Sequence, residues 1–315
     1  MLKKLLTIAI LGAVSSSFAL QNITIGTGGL KGTYYPTGET ICKFFETSQE
    51  TDISRCTAVP TKGSFYNINA LITDELDFGI AQSDLVYHAL RGKGQFQGKK
   101  LSNIRSVMAI YPELLSLVVR DDSNIQTLDE IKGKRINLGN LGSGNETTVK
   151  TLFHYSGIKN SDLLLWDNTD TQNAPEILQK NNIDGYFYMV GHPAKNIIHA
   201  QKLTSIHLVP IEGDNAQTLI EKYPYYAKGY IPANTYEGIT TDINSIGVKA
   251  VLVTTHDMND ETVQKIIKSV IDNFEQFKQE NPAYKSITKK SLLEGISAPL
   301  HQGAKEYYKS IDILD

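Results

Sequence analysis

Ile23-Thr24-Ile25-Gly26-Thr27-Gly28-Gly29-Leu30-Lys31-Gly32-Thr33-Tyr34-Tyr35-Pro36 decides how the rest of the chain is read. It opens as a short β-branched run whose apolar residues alternate, the pattern of a strand. It then passes through a loop with glycine at 26, 28, 29 and 32 and leaves into a helix carrying Ile41, Phe44 and Phe45. Glycines at such a turn permit positive φ and let a ligand come close to the backbone. The helix that follows offers unpaired N–H groups and the positive end of its dipole, a seat for a carboxylate or phosphate. The plainer alternative is a tight βα turn that binds nothing.

Working outward, the same unit recurs. Residues 53–59 alternate as a second strand, and Thr61-Lys62-Gly63-Ser64 turns into a helix with Ile68, Leu71 and Ile72. Leu76 to Ala81 is a third strand, ending at Gln82-Ser83-Asp84, where Ser or Asp caps another helix. Three strand–turn–helix units in a row predict a parallel sheet with helical crossovers, an α/β fold. Two apolar runs, 107–111 and 114–120, are followed by Asp121-Asp122-Ser123-Asn124 and a capping box at Thr127 to Glu130. Residues 121–126 are read as the first crossing between two lobes.

The second lobe repeats the logic. Strands are expected at 135–138, 163–166, 183–190 and 206–211, and helices at 146–155, 174–180 and from Ala194. The loop Gly139-Asn140-Leu141-Gly142-Ser143-Gly144-Asn145 mirrors the first glycine loop, and Gly191-His192-Pro193 ends an aromatic strand. Residues 223–232 read as irregular, and the return crossing is placed at 240–247, before a β-branched strand at 248–254. Val263, Ile266, Ile267, Val270, Ile271 and Phe274 then mark an amphipathic helix. Lobe I is thus expected from 20–122 plus 244–315, and lobe II from 123–243.

Lys3 and Lys4, an apolar run to Val14 and the close Ser17-Phe18-Ala19 match a secretory signal peptide over 1–19, cut after Ala19. The apolar run is too short to span a bilayer. The mature protein is therefore expected in the periplasm. Cys42 and Cys56 then meet an oxidising compartment, where a disulfide is favoured over two buried free thiols.

Composition narrows the function. The formal charge of -3 and the lack of a basic run exclude a nucleic-acid surface. In G-x-G-x-x-G the last glycine would fall on Lys31, and the second strand ends Val59-Pro60-Thr61 without the acid that holds a ribose. G-x-S-x-G finds Leu141 where glycine is required, and no H-E-x-x-H or zinc spacing exists. No metal or cofactor is called for, and an exported enzyme would lack a nucleophile–base–orienter set. What remains are polar loops at the carboxyl ends of strands in both lobes, which face each other across a cleft, where small molecules bind.

Here a resemblance becomes specific. Gly26-Thr27-Gly28-Gly29 with Gly32-Thr33-Tyr34-Tyr35-Pro36 opens an ordered set. Gly63-Ser64 with Asn67, Gln82-Ser83-Asp84, Gly142-Ser143-Gly144, Asp184-Gly185-Tyr186-Phe187 and Pro299-Leu300-His301 continue it. Together they resemble the TAXI-type, immunogenic-protein-like solute receptors of TRAP transporters across nearly the whole mature chain. Asn145 stands where such receptors usually have Thr, and Gln302 where they have Pro. The resemblance implies a two-lobed type II periplasmic binding-protein fold and a monomer that captures glutamate, glutamine or a related carboxylate. It also implies delivery to an ion-driven TRAP permease, and it supports the Cys42–Cys56 bridge. A receptor that reports to a sensor kinase is the alternative.

Ligand contacts are expected from Gly28, Gly29, Gly32, Thr33, Gln82, Ser83, Asp84, Gly142, Ser143, Gly144, Asn145 and Gly185. Tyr34, Tyr35, Tyr186 and Phe187 are expected to pack on the carbon skeleton, with core packing as their alternative. His192 and Lys31 are further candidates. The arginines at 55, 91, 105, 120 and 135 all fall outside these loops, so no bidentate clamp is expected.

Overall fold

The computed structural model describes residues 22–48 and 55–314. The signal peptide expected over 1–19 and the start of the second strand at 53–54 lie outside the described residues. The chain begins β1 (Asn22–Gly26), α1 (Tyr34–Thr47), β2 (Arg55–Val59), α2 (Ser64–Ile72), β3 (Phe78–Gln82) and α3 (Ser83–Arg91). The long β4 (Ile104–Arg120) follows, then β5 (Arg135–Asn137), α4 (Gly144–Ser156), β6 (Leu165–Asp167), α5 (Ala174–Gln179) and β7 (Gly185–Val190). Next come α6 (Lys195–Leu203), β8 (Ile206–Val209), α7 (Asp214–Lys222), β9 (Ala227–Ile231) and β10 (Ile243–Thr255). Helices α8 (Asp260–Asp272), α9 (Phe274–Glu280) and α10 (Gln302–Ser310) close the chain.

All ten strands join one mixed sheet, ordered β2-β1-β3-β10-β4-β7-β5-β6, with β8 on β4 and β9 on β10. Each half holds a parallel trio: β2-β1-β3 in the first and β6-β5-β7 in the second. Strands β4 and β10 run antiparallel to their neighbours and belong to both halves. Pairing of β4 with β7 starts at Leu114, so the chain changes halves inside the strand. The crossing expected at 121–126 is instead a turn, Asp121–Ser123, fastened to the second half by Asp121 N–H to the Ser205 carbonyl and by His207 on its carboxylate. The return expected at 240–247 runs into β10 from Ile243 on, and residues 227–231, read as irregular, pair with it as β9.

Period-two alternation sorts side chains between the two faces. Phe78 and Ile80 of β3 meet α1 and α8 on one face, while Ala81 meets α2 and α3 on the other. In the second half Leu115, Leu117 and Val119 of β4 pack with α4 and α7, while Val118 faces α5 and α6. Each such buried valine, leucine, isoleucine or phenylalanine contributes about 1.5–3 kcal/mol. Asp184, at the foot of β7, accepts from Arg135 Nε at 3.1 Å and from Arg120 at 3.4 Å. These two arginines therefore fasten the second half and stay out of the cleft.

Cys42 on α1 and Cys56 on β2 are joined in a disulfide, and no free cysteine exists among the described residues. The bridge spans a sequence separation of 14. In the chain-entropy picture a loop of this size contributes about 3 kcal/mol. Native, unreduced protein is expected to show no alkylatable thiol, and the Cys42→Ser/Cys56→Ser variant to lose about that much unfolding free energy in a denaturant titration. Two labelled thiols in unreduced protein would contradict the bridge.

Candidate functional site

The carboxyl ends of β1, β3, β5 and β7 converge on a cavity of about 90 Å³ between the halves. That is room for several waters, or for a small solute of comparable bulk. The first half contributes Gly28, Gly29, Gly32, Thr33, Tyr34, Lys62, Gly63, Ser64 and Gln82. The second contributes Asn140, Ser143, Gly144, Asn145, Thr171, Tyr188, Met189 and Val190, and Glu113 of β4 stands between them. Helices α2 and α4 begin at Ser64 and Gly144, so two helix N-termini open onto the cavity.

The halves meet at closely fitted points. A Cβ on Gly29 would stand 2.2 Å from the Gln172 side chain, and one on Gly144 2.2 Å from Gln82 Oε1. Each glycine faces a glutamine side chain of the opposite half, which a Cβ there would have to displace. Lys31 Nζ reaches Glu176 at 3.1 Å and the Gln172 carbonyl at 3.3 Å, tying the first glycine loop to the second half. Deeper in, Asp84 accepts from Thr148 Oγ1 at 3.1 Å and Tyr226 OH at 3.3 Å. The Asp84 carboxyl is wholly buried, and desolvation pushes it up to about 6 against those hydrogen bonds.

Nine of the residues expected at the ligand line the cavity: Gly28, Gly29, Gly32, Thr33, Tyr34, Gln82, Ser143, Gly144 and Asn145. Eight do not. Tyr186 and Phe187 sit too far down β7, since only its last three residues reach the cavity. Tyr186 donates to Asn196 in one core cluster and Phe187 packs on Phe153 in another, so core packing describes both and Tyr188 takes the place expected of them. Gly185, still lower, lies against Val119. Tyr35 follows Tyr34 on α1 but turns away from the cavity, and Glu39 on the same helix raises its phenol. Ser83 accepts from Lys249 N–H of β10, Asp84 lies behind the cavity wall, and Gly142 at the loop tip stands in open space. His192 points back to Ser116 and Tyr236, and burial lowers its imidazole to about 4.

Polar atoms already in use narrow what the cavity offers. Ser143 caps α4 by accepting from Glu146 N–H. Asn145, where the resembled receptors carry Thr, gives both ends of its amide to backbone: to Leu138 and Phe187 carbonyls and from Met189 N–H. Glu113 is the group that sequence reasoning missed. Its side chain is 2% exposed, it accepts from Tyr34 OH at 2.8 Å, and burial above all pushes its carboxyl up to about 8. A lone acid beside Pro112 inside a run of apolar strand residues was the available signal.

The family model described as NMT1-like matches residues 25–311. The chain belongs to the NMT1-like family. Its fold is that of periplasmic binding proteins, as solved structures show at low sequence identity. A Bordetella bronchiseptica RB50 protein is 12% identical with a TM-score of 0.57, covering 92% of this chain and 98% of that one. A structure from work on glutathione import via GshT and the cystine ABC importer TcyBC of Streptococcus mutans is 12% identical with a TM-score of 0.51, covering 84% and 94%. Among the described residues of this NMT1-like chain, no His, Cys, Asp and Glu cluster is arranged to hold a metal ion. No described helix is long and apolar enough to cross a membrane.

Proposed function

We propose that this NMT1-like protein is a periplasmic solute receptor of the TAXI type. In this reading it captures a small carboxylate or amino acid, glutamate or glutamine among them, and delivers it to the permease of a TRAP transporter. The observation that carries the reading is a small cavity whose wall comes from both halves of a binding-protein fold. Glycine loops and the N-termini of α2 and α4 supply N–H donors suited to a carboxylate. The lobes are those joined through β4 and β10, two strand connections that let the cleft open and close about a hinge. Ligand contacts in both lobes then favour the closed form by their differential affinity.

Native mass spectrometry of gently purified protein, followed by calorimetry with L-glutamate and L-glutamine, tests this. Binding of one solute per chain and recovery of that solute unchanged are expected. Catalytic conversion by pure protein would overturn the receptor reading.

A further inference from the structure

Glu113 stands where β4 passes between the halves, and its side chain lines the cavity while being almost wholly buried. Tyr34 of α1 donates to one carboxylate oxygen, and no other described side chain donates to it. The titratable groups that face it are Tyr34, Tyr111 of its own strand, Tyr188 of β7 and Asp84 of α3. From β10, Val248 and Lys249 register opposite Glu113 and Pro112, but the Lys249 ammonium lies 4.0 Å from Glu294. Lys62 lines the same cavity, and no ion pair among the described residues joins it to Glu113. A buried carboxyl is thus set beside a second buried acid with no cation of its own. Such a group either holds a proton or meets a cation brought from outside. Elsewhere the cavity offers glycine-loop and helix-start N–H groups, which suit an anion.

We propose that Glu113 is the specificity-determining residue of the cleft: its carboxylate receives an ammonium group of the solute, so the site selects solutes with that nitrogen over the same skeleton without it. This rests on the receptor reading above and names the chemistry that reading leaves open. In the empty site at pH 7 the Glu113 carboxyl is largely protonated. An arriving ammonium keeps its three protons and favours the ionised carboxylate, so the Glu113 O–H bond breaks and one proton passes to solvent.

Calorimetry at pH 7 in two buffers of different ionisation enthalpy measures both affinity and proton release. The probes are L-glutamate and L-glutamine with glutarate and glutaramate, the same skeletons without the α-ammonium. The amino acids are expected to bind at least about 30-fold more tightly than their counterparts, with release of nearly one proton. Glu113→Gln is expected to lower amino-acid affinity about 100-fold and abolish the proton release, while glutarate and glutaramate change little. The wild-type comparison stands even if the variant does not fold. Equal or tighter binding of glutarate and glutaramate, with no proton released, would overturn the role of Glu113 and leave the receptor reading intact. Binding of none of the four would overturn the proposed ligand class and this inference together.

Discussion

Gly144→Val is expected to lose ligand-dependent closure while keeping the native circular dichroism spectrum. Gly144 opens α4, and a Cβ there would lie 2.2 Å from Gln82 Oε1 and 2.5 Å from its amide carbon. Gln82 belongs to the other half and is not free to swing away. It is 4% exposed, and its amide nitrogen donates to Asp84 at 3.2 Å and Thr148 at 3.3 Å. Valine therefore displaces a fastened side chain or holds the halves apart. Overpacking of this kind costs about 1–3 kcal/mol, and separation also breaks the Gln82 and Asp84 bonds to Thr148. Those costs fall on the closed form, which the ligand must favour, and leave each core untouched. Affinity is expected to fall at least about 100-fold, and the ligand-dependent rise in Tm and compaction in small-angle scattering to vanish. Gly144→Ala should be intermediate. If the valine variant binds and compacts like wild type, the loop 139–145 is no part of the site.

The glycine loops were legible in the sequence because their role is local. Gly28, Gly29 and Gly144 lie at strand ends followed by helices, and a chain that turns there places them at the sheet's carboxyl edge whatever the distant packing. Repeated strand–turn–helix units similarly exposed the two parallel trios. Long-range facts were harder to read. Pro112 and Glu113 looked like a break between two apolar runs, yet β4 continues through both because β10 pairs with it on one side, opposite Lys249 and Val248. Treating that break as a boundary hid both the crossing and the buried acid it carries. On β7 the aromatic residues 186–188 look alike in sequence, and only the depth of the cavity along the strand separates Tyr188 from Tyr186 and Phe187. Ser83 and Asp84 were placed at the right strand end. What they touch, β10 and the second half, depended on contacts more than sixty residues away.

Unfolding free energy of the empty protein is expected to fall, relative to that of Glu113→Gln, as pH rises from 6.5 to 8. Burial, with Asp84 adding repulsion, raises the Glu113 carboxyl from an ordinary 4.5 to about 8. Between those values the native state holds a proton that the unfolded chain has released, so stability declines with rising pH. Over the whole window the decline is roughly 5 kcal/mol, and from pH 6.5 to 8 it is about 2 kcal/mol. Lower pH is a poor place to look for it. Asp84, raised to about 6, adds a decline of the same sign up to that pH, whereas His192, lowered to about 4, opposes it. His88 and His301, both lowered by burial, act with His192. At 6.5 the unfolded imidazoles are still half-protonated and discharge only by about pH 8, so their opposing slope continues into the window; it is common to both proteins, and the difference between the two belongs to Glu113. Lys249, lowered by burial, has the opposite sign on the alkaline side, and it is common to both proteins. A glutamine at 113 still accepts from Tyr34 and has no proton to lose. Urea titrations at half-unit steps should therefore show the wild type losing stability relative to Glu113→Gln between pH 6.5 and 8. Parallel profiles for the two proteins would mean that Glu113 is ionised in the empty cleft, and that a cation already accompanies it there.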